Sequence, residues 1–243
     1  MKHDLSDMAR WLKAEMGTRK PHLDSVGVVS RVASVLLLFL PGPEGPELVF
    51  EVRSNKLNWQ PGDISFPGGS RESEDRNFAE AAVREAMEEL GVCPTDIRLC
   101  GTLDFFAAHN TFMIYPFVGV WQPGREGCRL DPSDREDVAG RPLASAPDYR
   151  QWQYNREEVA ELFTVPLRYL LAQEPRVATS VVTMTHAEDF PYDLLPRTSK
   201  DWSRVRKYPI YFYTYQGHVI WGITAVILHG FLERFRRGLL HFA

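Results

Sequence analysis

The chain is predicted to fold as an α/β domain, a mixed sheet covered by helices, and three features carry that reading. Residues 32–40 form a near-continuous apolar run, as a central strand buried on both faces requires. Residues 77–91 place apolar and charged positions at helical spacing between strand-like segments. Residues 220–236 close the chain as a helix that is apolar at first and then basic, suited to lying across the sheet. Strands on either side of one helix, with a second helix at the end, require helices packed on a sheet.

In chain order, residues 5–16 form an amphipathic helix with Met8, Leu12 and Met16 on one face and Trp11 beside them. That face packs on the domain or on a second subunit, so a homodimer is one expected partner. Residues 19–25, with Pro21 as a breaker, read as a linker. The expected organisation is therefore an N-terminal helix and linker, 1–25, followed by a single domain, 26–243. Residues 41–46 are rich in Pro and Gly and make a turn, from which 47–53 returns as a second strand of a hairpin. Beyond the helix at 77–91, residues 97–106 and 112–121 read as strands separated by a turn at 107–110. His109 in that turn is read as solvated or capping, with a substrate contact as the lesser alternative.

Residues 122–155 are rich in Pro, Gly, Asp and Arg and longer than most loops of compact domains. They are taken as an insertion, which either covers substrate, contacts a second subunit or is partly disordered. Residues 157–163 lead into a strand ended by Pro166 and a short helix at 167–171. The β-branched and aromatic richness of 176–185 and 205–215 marks strands, the second turning at Gln216-Gly217. Residues 189–204, with Pro191, Pro196 and Trp202, form a loop, and Trp221 is read as core packing, with a cofactor or adenine contact as the alternative.

Composition narrows the function classes. With 243 residues, 44% hydrophobic and 25% charged, the chain can bury a sizeable core. A formal net charge of −4 lacks the basic footprint of a nucleic-acid binder. Cys93, Cys100 and Cys128 are odd in number and show no C-x-x-C or Cys/His ligand spacing, so neither a disulfide framework nor a zinc site is expected. A cytoplasmic, reducing setting fits. The first twenty residues are polar and lack the apolar core of a signal peptide. The longest apolar runs, 32–40 and 219–228, are too short to span a bilayer, so no membrane partner is expected.

The chemistry concentrates in residues 66–92. At roughly 100° per residue, Glu85, Glu88 and Glu89 stand at i, i+3 and i+4 and share one helix face. Ala79, Val83, Ala86, Met87 and Leu90 form the opposite, docking face, while Ala81 and Ala82 leave room beside the carboxylates. Asn77 with Glu80 resembles a capping box, and Gly91 suits the left-handed position after the last turn. Like charges on one face repel, and Arg84 alone cannot neutralise the set. The ordinary reading of such a run is a solvated acidic face. The alternative is a site for a hard divalent cation such as Mg²⁺, which takes carboxylate oxygens and leaves positions for phosphates. Gly68-Gly69 just upstream lets the backbone approach a metal or phosphate closely, and favours the second reading.

Gly69, five residues, Asp75, eight residues, then Arg84-Glu85-Ala86-Met87-Glu88-Glu89-Leu90-Gly91-Val92 resembles the Nudix box, G-x5-E-x7-R-E-U-x-E-E-x-G-U with U aliphatic. Asp75 stands where Glu is usual, and one extra residue precedes Arg84. The coenzyme A pyrophosphatase branch of that family is similar in having the extra residue. Its second motif is matched by Arg53-Ser54, Asn58, Gly62 and Phe66-Pro67-Gly68-Gly69 at three-residue intervals. Asn58 replaces a usual basic residue, and Glu51 a usual Thr. Segments 158–167 and 220–225 are also similar to that branch, so the resemblance runs from about residue 30 to about residue 236.

The resemblance implies the Nudix α/β/α sandwich and hydrolysis of a nucleoside diphosphate-linked substrate. It implies Mg²⁺ or Mn²⁺ held by Glu85 and Glu89 with Glu88 close by, the Gly68 carbonyl taking part, Arg84 orienting a glutamate and Asp75 in support. Arg53, Lys56 and Arg71, with Gly68 and Gly69, are the candidate phosphate contacts. Glu158 and Glu161 are candidates for a further ligand or for the base. Coenzyme A or acyl-coenzyme A, cleaved to 3′,5′-ADP and 4′-phosphopantetheine, is the leading substrate. ADP-ribose, NADH, dinucleotide polyphosphates and damaged nucleotides follow, and a non-catalytic binding module is the remaining alternative.

Overall fold

The computed structural model describes residues 4–17, 31–108, 112–122, 148–194 and 203–241. The expected linker and most of the expected insertion, with His109 and Cys128, lie outside them.

The sheet is built around β1 (Arg31–Gly42), whose side chains alternate between two apolar layers as the unbroken hydrophobic run requires. On one side β1 pairs in parallel with β7 (Phe112–Trp121), from Arg31 opposite Phe112 to Phe39 opposite Val120. On the other it forms the expected hairpin with β2 (Gly45–Arg53), but only from Phe39 onward. Below that point β2 splays away from β1 to pair with β3 (Ile64–Ser65), while β8 (Val159–Pro166) runs along its other edge from Glu47 to Arg53. The edge of β1 so exposed is taken by β4 (Gly68–Ser70), with Ser34 opposite Gly69. β5 (Ile97–Thr102) and β6 (Phe106–Ala108) complete an eight-stranded sheet by antiparallel pairing with β7. The sheet is mixed, as expected.

Helices cover both faces. On one face lies α2 (Phe78–Leu90), whose Ala82, Val83, Ala86 and Leu90 pack on Leu36, Leu38, Val49 and Ile97. On the other face α1 (Leu5–Met16) and α4 (Gly222–His241) pack on Leu37, Phe39 and Phe50. Trp11 meets Phe235 edge-on at 4.7 Å, which ties α1 to α4. The apolar face of α1, which suggested a subunit contact, is buried against the chain's own sheet and closing helix: Leu5, Met8, Leu12 and Met16 are all 2% exposed or less. A short helix, α3 (Leu167–Ala172), follows β8. β9 (Arg176–Thr185) and β10 (Ser203–Tyr215) then form an antiparallel ribbon, extended by β11 (His218–Ile220) after the Gln216-Gly217 turn.

Several expectations shift. The strand read at 97–106 divides, because the ladder with β7 slips between Leu99 and Gly101 and breaks before Phe106, and Ala107 and Ala108 are strand rather than turn. Trp221 precedes α4 and is 45% exposed, stacked on Phe212 rather than packed in the core. Met87 points outward, and its place against the sheet goes to Ala82, a side chain small enough for close helix-to-sheet approach.

Candidate active site

The site forms where β1 and β2 part. Into that gap β4 brings Gly68 and Gly69, and α2 runs beside them. The helix is fixed at both ends. Asn77 accepts the Glu80 amide at 2.9 Å, and Gly91 takes the left-handed conformation at φ 68° and closes the last turn onto the Met87 carbonyl. The reciprocal half of the capping box is displaced by one residue: the Glu80 carboxylate accepts from the Arg76 amide rather than from Asn77.

The three helix glutamates lie at three depths. Glu88 is half exposed, Glu85 is largely shielded, and Glu89 is 4% exposed. Glu89 Oε2 accepts the Gly68 amide at 2.7 Å. Glu85 lies against Gly69 so closely that a methyl group there would land on its carboxylate, and at Gly68 a Cβ would strike the Ser34 backbone. The two glycines therefore let the strand run directly beneath the carboxylates.

Arg84 organises the rim. Its guanidinium donates to Asp75 from Nε at 3.2 Å and from Nη2 at 3.1 Å, to the Ser70 carbonyl at 2.9 Å, to Glu85 Oε1 at 3.0 Å and to Glu88 Oε2 at 3.1 Å. Asp75 is buried, and the Arg84 hydrogen bond holds its carboxyl below the usual range, outweighing burial. Among the residues near the helix, Arg71 is the one whose expected role the geometry redirects: it clamps the Asp75 carbonyl at 2.8 and 3.0 Å and lies over the Phe78 ring.

Further acidic groups come from the sheet. Glu158, at the head of β8, acts on Glu85 and Glu89 as a like charge. Glu161 does not join it: it pairs with His218 at 3.3 Å, and that imidazole stacks on Phe163 of the opposite apolar layer. Glu51 on β2 is fully buried beside Glu89, its Oε1 accepting the Ser65 hydroxyl at 2.8 Å. In the sequence Glu51 stands out only as a departure from the Thr usual in the resembling branch. Its signal was a lone acid inside the apolar strand Leu48-Val49-Phe50-Glu51-Val52. Burial lifts the carboxyls of Glu85 and Glu89 above the usual range and pushes Glu51 up to about 8.

The donors are all oxygens, which fits a hard cation rather than zinc or copper. As the side chains stand, no three acidic, histidine or cysteine groups among the described residues converge on one point. Arg84 holds Glu85 and the Gly68 amide holds Glu89. Yet Glu85 Oε2, Glu89 Oε1 and Glu51 Oε2 carry no hydrogen bond among the described residues, and Glu51 Oε2 is buried without any partner. A buried carboxylate oxygen without a partner among the described residues, set among further acidic groups beside a glycine strand, suits a hard divalent cation.

Against known families, residues 29–179 match the model of the NUDIX domain, more than half of the chain. The chain belongs to the Nudix hydrolase family. The match spans the whole of the gap, from β1 through α2 to β8. The peroxisomal coenzyme A diphosphatase NUDT7 of Mus musculus is 34% identical over 163 residues, which are 67% of this chain but only 56% of the mouse protein, so the chain spans little more than half of that relative. An uncharacterized Nudix hydrolase NudL of Photorhabdus laumondii is 28% identical over 82% of both chains. The crystal structure of the Nudix hydrolase RenU from M. smegmatis overlays 60% of this chain and 81% of its own at 21% identity, with a TM-score of 0.39.

Placed on this Nudix fold, the remaining candidates divide. Arg53 lies two residues beyond Glu51 and its charge acts on that carboxylate, while its Nε reaches the Trp59 carbonyl at 3.4 Å. Lys56 is exposed and paired with Glu157 at 2.6 Å. No helix among the described residues is long and apolar enough to cross a membrane.

Proposed function

We propose that the chain hydrolyses the diphosphate bond of a nucleoside diphosphate-linked substrate with Mg²⁺ or Mn²⁺, coenzyme A or an acyl-coenzyme A being the first substrate. The observation that carries the reading is the meeting of Glu85 and Glu89 with the Gly68–Gly69 backbone, a carboxylate and glycine cradle suited to metal and phosphate together. The 34% identity to a coenzyme A diphosphatase supports the substrate.

Glu85 and Glu89, with Glu88 at the rim, would hold the cation. Bound there, Mg²⁺ or Mn²⁺ supplies positive charge opposite the diphosphate as its anhydride bond breaks. The chain's own residues set the rest. Arg84 spaces the glutamates and fixes Glu85, and Asp75 fixes Arg84. Gly68 and Gly69 admit the phosphates where any side chain would intrude. Arg53, at the mouth of the gap, is free to turn from a long contact with a carbonyl towards a phosphate, whereas Arg71 serves the loop that carries Asp75. Glu158 takes the proton from the attacking water, because it faces the cluster and Glu161 does not. Water adds to one phosphorus, the bridging oxygen leaves with the other, and two phosphomonoesters result. From coenzyme A these are 3′,5′-ADP and 4′-phosphopantetheine.

Asn58, in place of the basic residue usual in the coenzyme A branch, favours a second reading in which ADP-ribose, NADH, a dinucleotide polyphosphate or a damaged nucleotide is preferred. A binding module without turnover accords less well with a helix that keeps all its glutamates. The reading includes a reducing, cytoplasmic setting, supported by the free thiols of Cys93 and Cys100. It also includes a homodimer, supported by the ribbon of β9 and β10, whose Val177, Val181, Met184 and Val205 are each more than half exposed.

The test is a mass-spectrometric product assay offering coenzyme A, ADP-ribose, NADH, diadenosine polyphosphate and 8-oxo-dGTP side by side with Mg²⁺ and Mn²⁺. Selective release of 3′,5′-ADP is expected. Preference for another diphosphate keeps the family chemistry and overturns the coenzyme A assignment.

A further inference from the structure

Glu51, like Glu158, is a carboxylate of the gap that the helix does not supply, and it is the more deeply buried of the two. Only 1% of it reaches solvent. Oε1 accepts the Ser65 hydroxyl, but Oε2 is buried with no partner among the described residues. An ionised oxygen so placed lacks the compensation that buried charge requires. The neighbours sharpen the conflict. Glu89 and Glu85 on α2 and Glu158 just before β8 all act on it as like charges, while Arg53, whose charge opposes them, directs its Nε to the Trp59 carbonyl. A buried carboxylate held by one oxygen, with the other unpartnered among further carboxylates, is an arrangement that a hard divalent cation completes. Threonine, usual at this place in the resembling branch, offers a hydroxyl but no charge.

We propose that Glu51 is a further ligand of the divalent-cation site, contributed by the sheet, and that it raises the affinity of the site for Mg²⁺ and Mn²⁺ above what the helix glutamates alone confer. Ser65 is then a positioning residue, holding Oε1 so that Oε2 points at the ion. The inference rests on the metal-dependent reading above.

The experiment is a Mn²⁺ titration, with the metal alone, of the full chain by electron paramagnetic resonance, on the wild type, Glu51→Gln, Glu51→Thr and Glu89→Gln. Glu51→Gln keeps the volume and the Ser65 contact while removing the charge, and circular dichroism establishes that each variant is folded. The expected result is Mn²⁺ binding weakened about tenfold or more by both Glu51 variants, as loss of a charged ligand demands. Weakening by Glu89→Gln with both folded Glu51 variants at wild-type affinity overturns the Glu51 assignment and leaves the metal reading standing. Failure of the wild type to bind Mn²⁺ overturns the metal reading, and the Glu51 inference falls with it.

Discussion

Replacing Asp75 by Asn removes the carboxylate that engages two nitrogens of Arg84, and leaves the guanidinium to Glu85 and Glu88. Loss of a shielded charge-assisted pair should cost about 1–3 kcal/mol, read as a lower denaturant midpoint. Because the depressed Asp75 pKa adds stability above its unfolded value and loses it as pH falls through the folded one, the variant should also be less sensitive to acid than the wild type. Glu51 has the opposite sign. Its folded carboxyl, raised from 4.5 to about 8, keeps a proton that the unfolded chain gives up, so stability falls as pH rises between those values. In chelator, the melting temperature of the wild type should drop more steeply than that of Glu51→Gln between pH of about 5 and about 8; equal slopes would remove the charge conflict at Glu51. These two residues also mark what could be read beforehand. Asp75 is marked beforehand by the resemblance to the Nudix box, whereas burial of Glu51 depends on the splaying of β2 from β1, which strand periodicity does not encode.

The helix α2 is legible in the sequence because its signals are local, whereas the pairing of Gly68–Ser70 as strand β4 is visible only in the structure. Asn77, Gly91 and the glutamate spacing fix start, stop and loaded face, and the structure keeps all three. What spacing could not supply was depth: Glu89 sits in the interior and Met87 outside it, because the sheet meets the helix on its alanine side. The cradle makes a sharp prediction. Gly69→Ala puts a methyl group where the Glu85 carboxylate lies, so turnover should fall far more than stability, with kcat lost and the melting temperature little changed. Gly91→Ala should do the reverse. A left-handed residue with a side chain costs about 1–2 kcal/mol, and the added Cβ meets the Gln153 backbone, so stability falls while the folded fraction keeps its activity.

The whole molecule joins parts distant in sequence. α1 was read correctly as a helix, yet periodicity could not say whether its apolar face meets this chain or another, and it meets β5 and α4 of its own. Leu12→Ala, at a fully buried position, should therefore cost about 2–5 kcal/mol in chemical denaturation. The far part of the β9–β10 ribbon presents the converse case: Tyr213 of β10 is buried in the core, whereas Val177, Val181, Met184 and Val205 stand exposed. On the proposed homodimer, Val181→Arg is expected to shift the mass measured by light scattering from two chains to one; a wild type that already runs as one chain would contradict the proposal. The loading of α2 and its approach to Gly68–Gly69 remain the centre of the molecule, and Glu89 is the residue on which they converge. The most direct test is the rate of diphosphate hydrolysis by Glu89→Gln at saturating Mg²⁺. A loss on the order of 10²–10³ or more, with the fold intact, is the expected result; near-normal turnover would contradict the assignment of the chemistry to this helix.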